Sequence, residues 1–128
     1  MNSNINEKML ANLSVRLKDL PEIPCPCGSA RRAFSEISSG KVSLHLVEVK
    51  EDSELHYHKK QTEIYYILSG SGEIEINRKI KKVSEGDAIF IPAGVVHRPI
   101  PGPDKMSLLN FVIPAFDSRD EWLVSEKQ

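Results

Sequence analysis

Alternating apolar and polar residues dominate the chain from residue 31 onward and predict a series of short β-strands. In Glu73-Ile74-Glu75-Ile76, every second residue is isoleucine, a period that places the apolar side chains on one face of a strand. Similar runs are separated by segments rich in Gly, Pro, Ser and Asp, which favour turns. The predicted strands span residues 32–37, 42–49, the histidine-rich run at 56–58, 64–68, 73–76, 80–83, 88–91 and 106–113.

Glycine and proline interrupt this pattern. Residues 69–72, with the sequence SGSG, predict a tight turn between two strands. Residues 99–103 carry proline at alternate positions and predict a stiff loop at a sheet edge or over the mouth of a cavity, because proline cannot donate to a ladder. Many short strands at hairpin spacing indicate an all-β sandwich or barrel.

The first 30 residues follow a different pattern. Apolar residues recur at helical spacing between residues 5 and 20, although part of this stretch also alternates like a strand. We expect a short helix followed by an extended piece, and no regular structure between Pro21 and Gly28, where prolines cluster. The predicted organisation is an N-terminal extension (1–30), a β-barrel (31–116) and a C-terminal tail (117–128).

Composition excludes several classes of partner. The 128 residues carry a formal net charge of -1, which gives no electrostatic reason to expect nucleic acid or an anionic membrane as a partner. No apolar run approaches the roughly 20 residues that span a bilayer. The N-terminus lacks the pattern of a signal peptide, so we expect a cytoplasmic protein.

The two cysteines, Cys25 and Cys27, are separated only by Pro26. At this spacing they are poorly placed to bridge each other, given the Cα separation and dihedral angle that a disulfide requires. No second cysteine pair exists to complete a tetrahedral sulfur site. We expect free thiols in a reducing compartment, and a redox or accessory metal role stays open.

Three histidines and one glutamate carry the most specific chemistry. His56 and His58 are two residues apart, which on a strand directs both imidazoles to the same face. Glu63 begins the next alternating run, so its carboxylate can be directed from an adjacent strand, and His97 follows the turn-like residues 92–94. Imidazoles together with a carboxylate suit a divalent first-row metal. The spacing therefore predicts a metal site inside a small β-barrel.

The same residues resemble the motifs of a known family. The first characteristic motif of the cupins is matched by His56, His58, Glu63 and Gly70, at the spacing HxHx4Ex6G. The second motif is matched within residues 86–97, at the spacing Gx5PxGx2H. Two motifs with correct internal spacing, in the right order, are similar to those of small single-domain cupins.

Two positions depart from the family pattern. Lys50 stands where a glycine usually opens the first motif, and Pro101 stands where an asparagine usually closes the second. Neither position is a metal ligand in the family. The resemblance implies an all-β fold, a double-stranded β-helix or jelly-roll (cupin) barrel, with a metal in its mouth held by His56, His58, Glu63 and His97.

The resemblance also implies a range of functions. Cupins use iron, manganese, nickel, zinc or copper, and act as dioxygenases, isomerases, epimerases, lyases and decarboxylases, or as binding modules and storage proteins. We expect one divalent transition metal (Fe, Mn, Ni or Zn) in a metal-dependent enzyme acting on a small polar metabolite. The alternatives are a non-catalytic module that binds a sugar or an acid through the metal, and a structural barrel in which the metal supports folding.

Tyr65 is the candidate catalytic residue, because it shares a strand face with Glu63 and could supply a hydroxyl group near the metal. Its alternative role is that of a core aromatic. On the opposite face, Ile64, Tyr66 and Leu68 form an apolar stripe that predicts a homodimer if it is exposed. Beyond the barrel, the apolar side chains of Phe116 and Trp122 are expected to pack against the barrel or a second subunit.

Overall fold

The computed structural model describes residues 5–125, in which one curled antiparallel β-sheet of nine strands carries short helical turns at both ends. The first four residues of the predicted extension and the last three of the predicted tail lie outside the described residues. The helical segments are α1 (Glu7–Ala11) and two 3-10 turns, Leu17–Asp19 and Ser118–Asp120. The strands are β1 (Ile23–Cys25), β2 (Gly28–Ala33), β3 (Ser43–Val49), β4 (His56–Tyr57), β5 (Thr62–Ile76), β6 (Lys79–Ser84), β7 (Ala88–Ile91), β8 (His97–Ile113) and β9 (Trp122–Leu123).

Two long strands organise the sheet. β5 pairs with β6, β7 and β8, and β8 pairs in addition with β3 and β4. The path β1-β2-β3-β8-β4-β9 completes the sheet, with antiparallel neighbours throughout. The prediction of an all-β jelly-roll barrel is confirmed. Within residues 5–125, no helix has the length and hydrophobicity needed to cross a membrane.

Strand alternation decides which side chains line the interior of the barrel. On β5, Glu63, Tyr65 and Ile67 are buried, whereas Tyr66 and Leu68 point outward. Burying a side chain such as Ile67 contributes about 1.5–3 kcal/mol to folding. One end of this interior is polar, however, because Glu63 is buried among other polar groups. These groups form the site described below.

The tight turn predicted at residues 69–72 is wrong, because β5 continues through this segment. The strand has register shifts here relative to β8, which mark β-bulges. Gly70 has a φ of 78°, and a Cβ atom added to it would lie 1.7 Å from the carbonyl oxygen of Lys105. Glycine therefore allows two backbones to approach closely where the strand bends, instead of ending the strand.

Two proline-containing segments that were predicted to be irregular also form strands. Residues 99–103 belong to β8, where Pro99 and Pro101 pair with alternate residues of β5. Because Pro99 and Pro101 are two residues apart, their nitrogens point to the same side of β8, and no hydrogen bond of the ladder to β5 requires them as donors. Residues 23–25 form the edge strand β1, in which Pro24 is tolerated for the same reason.

The predicted three-part division of the chain stays a prediction. β1 lies within the predicted N-terminal extension, and β9 lies within the predicted tail. β1 pairs with β2, which contributes Arg32 to the polar end of the barrel, and β9 pairs with β4, which contributes His56.

Candidate metal centre

The structure brings together the four side chains that the sequence pattern singled out. His56 on β4 lies directly across from His97 on β8, His58 follows β4, and Glu63 lies at the start of β5. All four residues are at most 4% exposed. One nitrogen or oxygen atom from each lies within 4.8 Å of the corresponding atoms of the other three. These residues could therefore hold one metal ion.

Each of the three imidazoles is oriented by a main-chain carbonyl group. The Nδ1 atoms of His56, His58 and His97 lie 2.8, 2.6 and 2.8 Å from the carbonyl oxygens of Glu54, Asp120 and Val95, respectively. A carbonyl oxygen only accepts, so each Nδ1 carries the hydrogen and donates it. Each Nε2 atom is left with a free lone pair, which is the tautomer that a metal ligand requires.

Glu63 is oriented by Asn110, whose Nδ2 donates to Oε2 at 2.5 Å. The other oxygen, Oε1, lies 3.2 Å from His58 Nε2 and 3.0 Å from His97 Nε2. The short contact with His97 joins two acceptors, and neither of these two atoms has a hydrogen-bond partner. Two ligand atoms at right angles and about 2.1 Å from one ion lie about 3.0 Å apart. The donor set therefore fits a metal ion.

The charges of the cluster also favour a cation. Burial, followed by the neighbouring His97, lowers the pKa of His56 to about 4, so its imidazole is neutral. Burial disfavours the charged form of Glu63, but contacts with His58 and His97 outweigh it and hold the pKa of the carboxyl well below its usual range. Burial also opposes a charge on His58, yet Glu63 raises its pKa overall. A buried carboxylate facing imidazole lone pairs is stabilised by a bound cation.

Asp120 is a supporting residue that sequence reasoning missed. Its carboxylate accepts hydrogen bonds from the backbone N–H groups of Lys59, Lys60 and Gln61 at 2.8, 2.9 and 3.2 Å. Its own carbonyl oxygen accepts from His58. Asp120 thus fixes the loop between β4 and β5 as well as one candidate ligand. Nothing in the sequence distinguished it from the other charged residues of the predicted tail.

The segments around Phe116 and Trp122 pack against the barrel beside the site. β9 pairs with β4, and the Trp122 ring stacks on Tyr57 with 6.4 Å between ring centroids. The Phe116 ring lies under the guanidinium group of Arg32, 3.7 Å from its carbon to the ring centroid. Both aromatic residues therefore contact residues of the same chain.

Arg32 is a second residue of the site that sequence reasoning missed.

A small cavity of about 20 Å³ adjoins three of the four candidate ligands, His56, His58 and Glu63. Tyr65, predicted to be catalytic, lines it with its ring centroid 6.0 Å from that of His97. Burial holds the pKa of the Tyr65 hydroxyl well above its usual value, so the phenol keeps its proton. The remaining polar residues that line the cavity include Cys25, Cys27, Arg32, His45, Gln61, Asn110 and Glu121.

The fold is thus an antiparallel jelly-roll barrel that brings three imidazoles and one carboxylate together in its interior, where they could hold a metal ion. The family model described as "Cupin domain" matches residues 43–112, and the chain belongs to that family. The resemblance noted from the two motifs is confirmed.

Relatives in sequence are themselves without a described activity. An uncharacterized protein of Aquifex aeolicus is 34% identical over 79 residues, which cover 62% of this chain and 65% of the relative. An uncharacterized protein of Methanocaldococcus jannaschii is 38% identical over 53 residues, covering 41% and 42%. The chain thus matches less than two thirds of the length of either relative.

Solved structures share the fold over most of this chain. A protein from Planctomyces limnophilus superposes with a TM-score of 0.75 at 33% identity, covering 85% of this chain and 94% of the other. Pac13, a nucleoside dehydratase from Streptomyces, gives 0.72 at 18% identity, covering 90% and 95%. Oxalate decarboxylase from Bacillus subtilis gives 0.72 at 22% identity, covering 84% and 31%. The last two likenesses show the fold alone.

Asn110→Ala removes the amide that orients Glu63. We expect affinity for Mn²⁺ to fall about 10- to 100-fold, because partners that orient a ligand typically contribute that much. Isothermal titration calorimetry measures the change. The matched control is Ser107→Ala on the same strand, whose hydroxyl contacts Ser69 at the surface. Equal affinities in the two variants would contradict a role for Asn110 in holding Glu63.

Proposed function

We propose that this cupin is a metal-dependent enzyme of the dioxygenase, isomerase or lyase type that acts on a small carboxylate. The observation that carries the proposal is a concentration of unpaired polar atoms at one end of the barrel. Buried polar atoms are normally hydrogen-bonded. Among the described residues, the buried side-chain atoms without a partner all belong to the site: Arg32 Nε, Gln61 Oε1, Glu63 Oε1, His97 Nε2 and Asn110 Oδ1. Groups left unpaired around a cavity are available to a ligand.

The metal would be one divalent transition ion (Fe, Mn, Ni or Zn) held by His56, His58, Glu63 and His97. When bound, such an ion supplies Lewis-acid polarisation of a substrate oxygen, or oxygen activation where the ion is iron. The protein contributes orientation, because main-chain carbonyl groups fix all three imidazoles. It also limits the number of competing waters, since a cavity of about 20 Å³ has room for only about one water molecule beside the ligands.

Arg32 favours an anionic substrate group. It lies opposite His45 in the β2–β3 ladder and lines the cavity. Its guanidinium carbon lies 3.7 Å from the centroid of the Phe116 ring, while its buried Nε has no acceptor. A planar guanidinium edge matches the two oxygens of a carboxylate. We therefore assign Arg32 to substrate binding.

Tyr65 keeps the catalytic role predicted for it. Its hydroxyl is a proton donor across the physiological pH range, because burial disfavours the phenolate. A neutral phenol in the cavity wall can donate a hydrogen bond, or a proton, to a substrate oxygen on which negative charge develops.

The test compares metal-loaded wild-type protein with Tyr65→Phe and Arg32→Met on a panel of small carboxylic acids and their amides. Oxygen uptake and proton NMR detect oxidation, isomerisation and elimination. We expect turnover of a carboxylate but not of its amide. Tyr65→Phe should lower kcat about 10²-fold or more, the usual contribution of a general acid. Arg32→Met should mainly raise KM, about tenfold, through the lost ion pair.

Metal content, measured on the same samples, should be equal in all three proteins. Thermal stabilisation by a carboxylate without any turnover would favour the non-catalytic binding module. Unchanged kinetic constants in both variants would contradict the roles assigned to Tyr65 and Arg32.

We also propose that the protein forms a homodimer through the outer face of β5, β7 and β8. Phe90, Ile64 and Phe111 lie side by side across these three strands. The face also contains Tyr66 and Ile113, and Phe90 is 63% exposed. A contiguous apolar face of this kind is typical of an interface. The cytoplasmic location and the lack of nucleic-acid or membrane partners stay predictions.

Phe90→Lys places a charge in the centre of this face. We expect the wild-type protein to have the mass of a dimer and the variant that of a monomer, because burying an unpaired lysine opposes association. Size-exclusion chromatography with light scattering measures both masses. Ile80→Lys is the matched control, since Ile80 is 58% exposed on β6, beside the other end of β5. A monomeric wild-type protein would contradict the proposed interface.

A further inference from the structure

Cys25 and Cys27 form a close thiol pair that the metal centre does not use. Cys25 ends β1 and pairs with Gly28 at the start of β2, so the hairpin turn brings both side chains to the same side. Their Sγ atoms lie 2.6 Å apart, much closer than the sequence spacing predicts, although both cysteines are free. A disulfide bond is about 2.05 Å long, so only a small movement separates these thiols from a bridge.

The two thiols differ in accessibility and acidity. Cys25 is partly exposed, and the hydrogen bond from Cys27 lowers its pKa. Cys27 is buried, and the contact with Cys25, together with burial, raises its pKa well above the usual value. An accessible, more acidic thiol beside a buried one is the arrangement of an attacking and a resolving cysteine.

We propose that Cys25 and Cys27 form a thiol–disulfide exchange site whose co-reactant is a small-molecule disulfide such as oxidised glutathione. The Cys25 thiolate attacks one sulfur of the co-reactant, forms a mixed disulfide, and releases one thiol. Cys27, on losing its proton, then attacks the Cys25 sulfur, which closes the Cys25–Cys27 bond and releases the second thiol. Two protein thiols are oxidised and one external disulfide is reduced to two thiols, so atoms and electrons balance.

The turn that contains Pro26 and Cys27 is hydrogen-bonded to the segment that leads into His56. The carbonyl oxygen of Pro26 accepts from the Glu54 N–H at 2.8 Å, and the Glu54 carbonyl oxygen accepts from His56 Nδ1 at 2.8 Å. The Cys27 carbonyl oxygen accepts from the Lys50 N–H at 3.1 Å. A bond across Cys25-Pro26-Cys27 shifts these carbonyl groups, and the shift reaches a candidate metal ligand through two hydrogen bonds. This second part rests on the proposed metal centre.

The experiment equilibrates the 128-residue protein with defined mixtures of reduced and oxidised glutathione, blocks remaining thiols by alkylation, and records the intact mass. Wild-type protein should lose both free thiols and gain no glutathione, so its mass falls by that of two hydrogen atoms. Cys27→Ser should instead trap one glutathione on Cys25. Cys25→Ser should react more slowly, because Cys27 is buried. Wild-type protein that keeps both thiols, or that carries glutathione as Cys27→Ser does, would overturn the proposal.

A second measurement tests the coupling separately. Mn²⁺, which prefers oxygen ligands such as carboxylates to thiolates, is titrated into the reduced and the oxidised wild-type protein. We expect a several-fold difference in affinity between the two states. Equal affinities would overturn the coupling but not the exchange site. If neither state binds metal while the disulfide forms, the proposed metal centre fails and the exchange site stands.

Discussion

The candidate metal centre depends on three hydrogen bonds in which an imidazole Nδ1–H donates to a main-chain carbonyl oxygen. Each bond directs one Nε2 lone pair toward the others and toward Glu63. The carbonyl groups come from Glu54, Val95 and Asp120, so the centre needs the correct path of three separate backbone segments. Because the acceptors are main-chain carbonyl groups, replacing the side chain of the accepting residue does not remove the acceptor. The barrel therefore supplies to the site both the ligands and their orientation.

Much of this arrangement was predictable from local sequence. Alternation predicted most of the strands, although the strand predicted at residues 32–37 is wrong: β2 spans Gly28–Ala33, and residues 35–40 form a turn. The spacing of His56, His58, Glu63 and His97, together with the resemblance to the cupin motifs, predicted which side chains meet. Other features depend on contacts between distant residues. Every residue has a main-chain carbonyl group, so the sequence does not show which carbonyl groups orient the imidazoles. Asp120, for example, lies 62 positions after His58. The segment around Gly70 was misjudged because glycine permits both a turn and a close backbone approach, and only the partner strand decides between them.

The fold alone does not determine the reaction. Solved cupin neighbours described as a nucleoside dehydratase and as an oxalate decarboxylase superpose on this chain equally well. The activity proposed for this chain rests instead on the groups around its own cavity, chiefly the unpaired Nε of Arg32 and the hydroxyl of Tyr65, whose pKa is raised by burial. The Cys25–Cys27 pair lines the same cavity and joins the loop of His56 through the backbone. The side chains proposed for substrate binding, proton transfer and thiol oxidation thus all line one small cavity.

The three imidazoles and Glu63 are proposed to bind one transition metal ion. The metal content of protein purified without a histidine tag and without added metal, measured by plasma mass spectrometry beside His58→Ala, tests this binding. We expect about one iron, manganese, nickel or zinc ion per wild-type chain and a loss of that ion from the variant, with circular dichroism showing both proteins folded. Wild-type protein that is metal-free and takes up none of these ions on reconstitution would contradict the proposed binding, as would a folded variant that retains the full metal content.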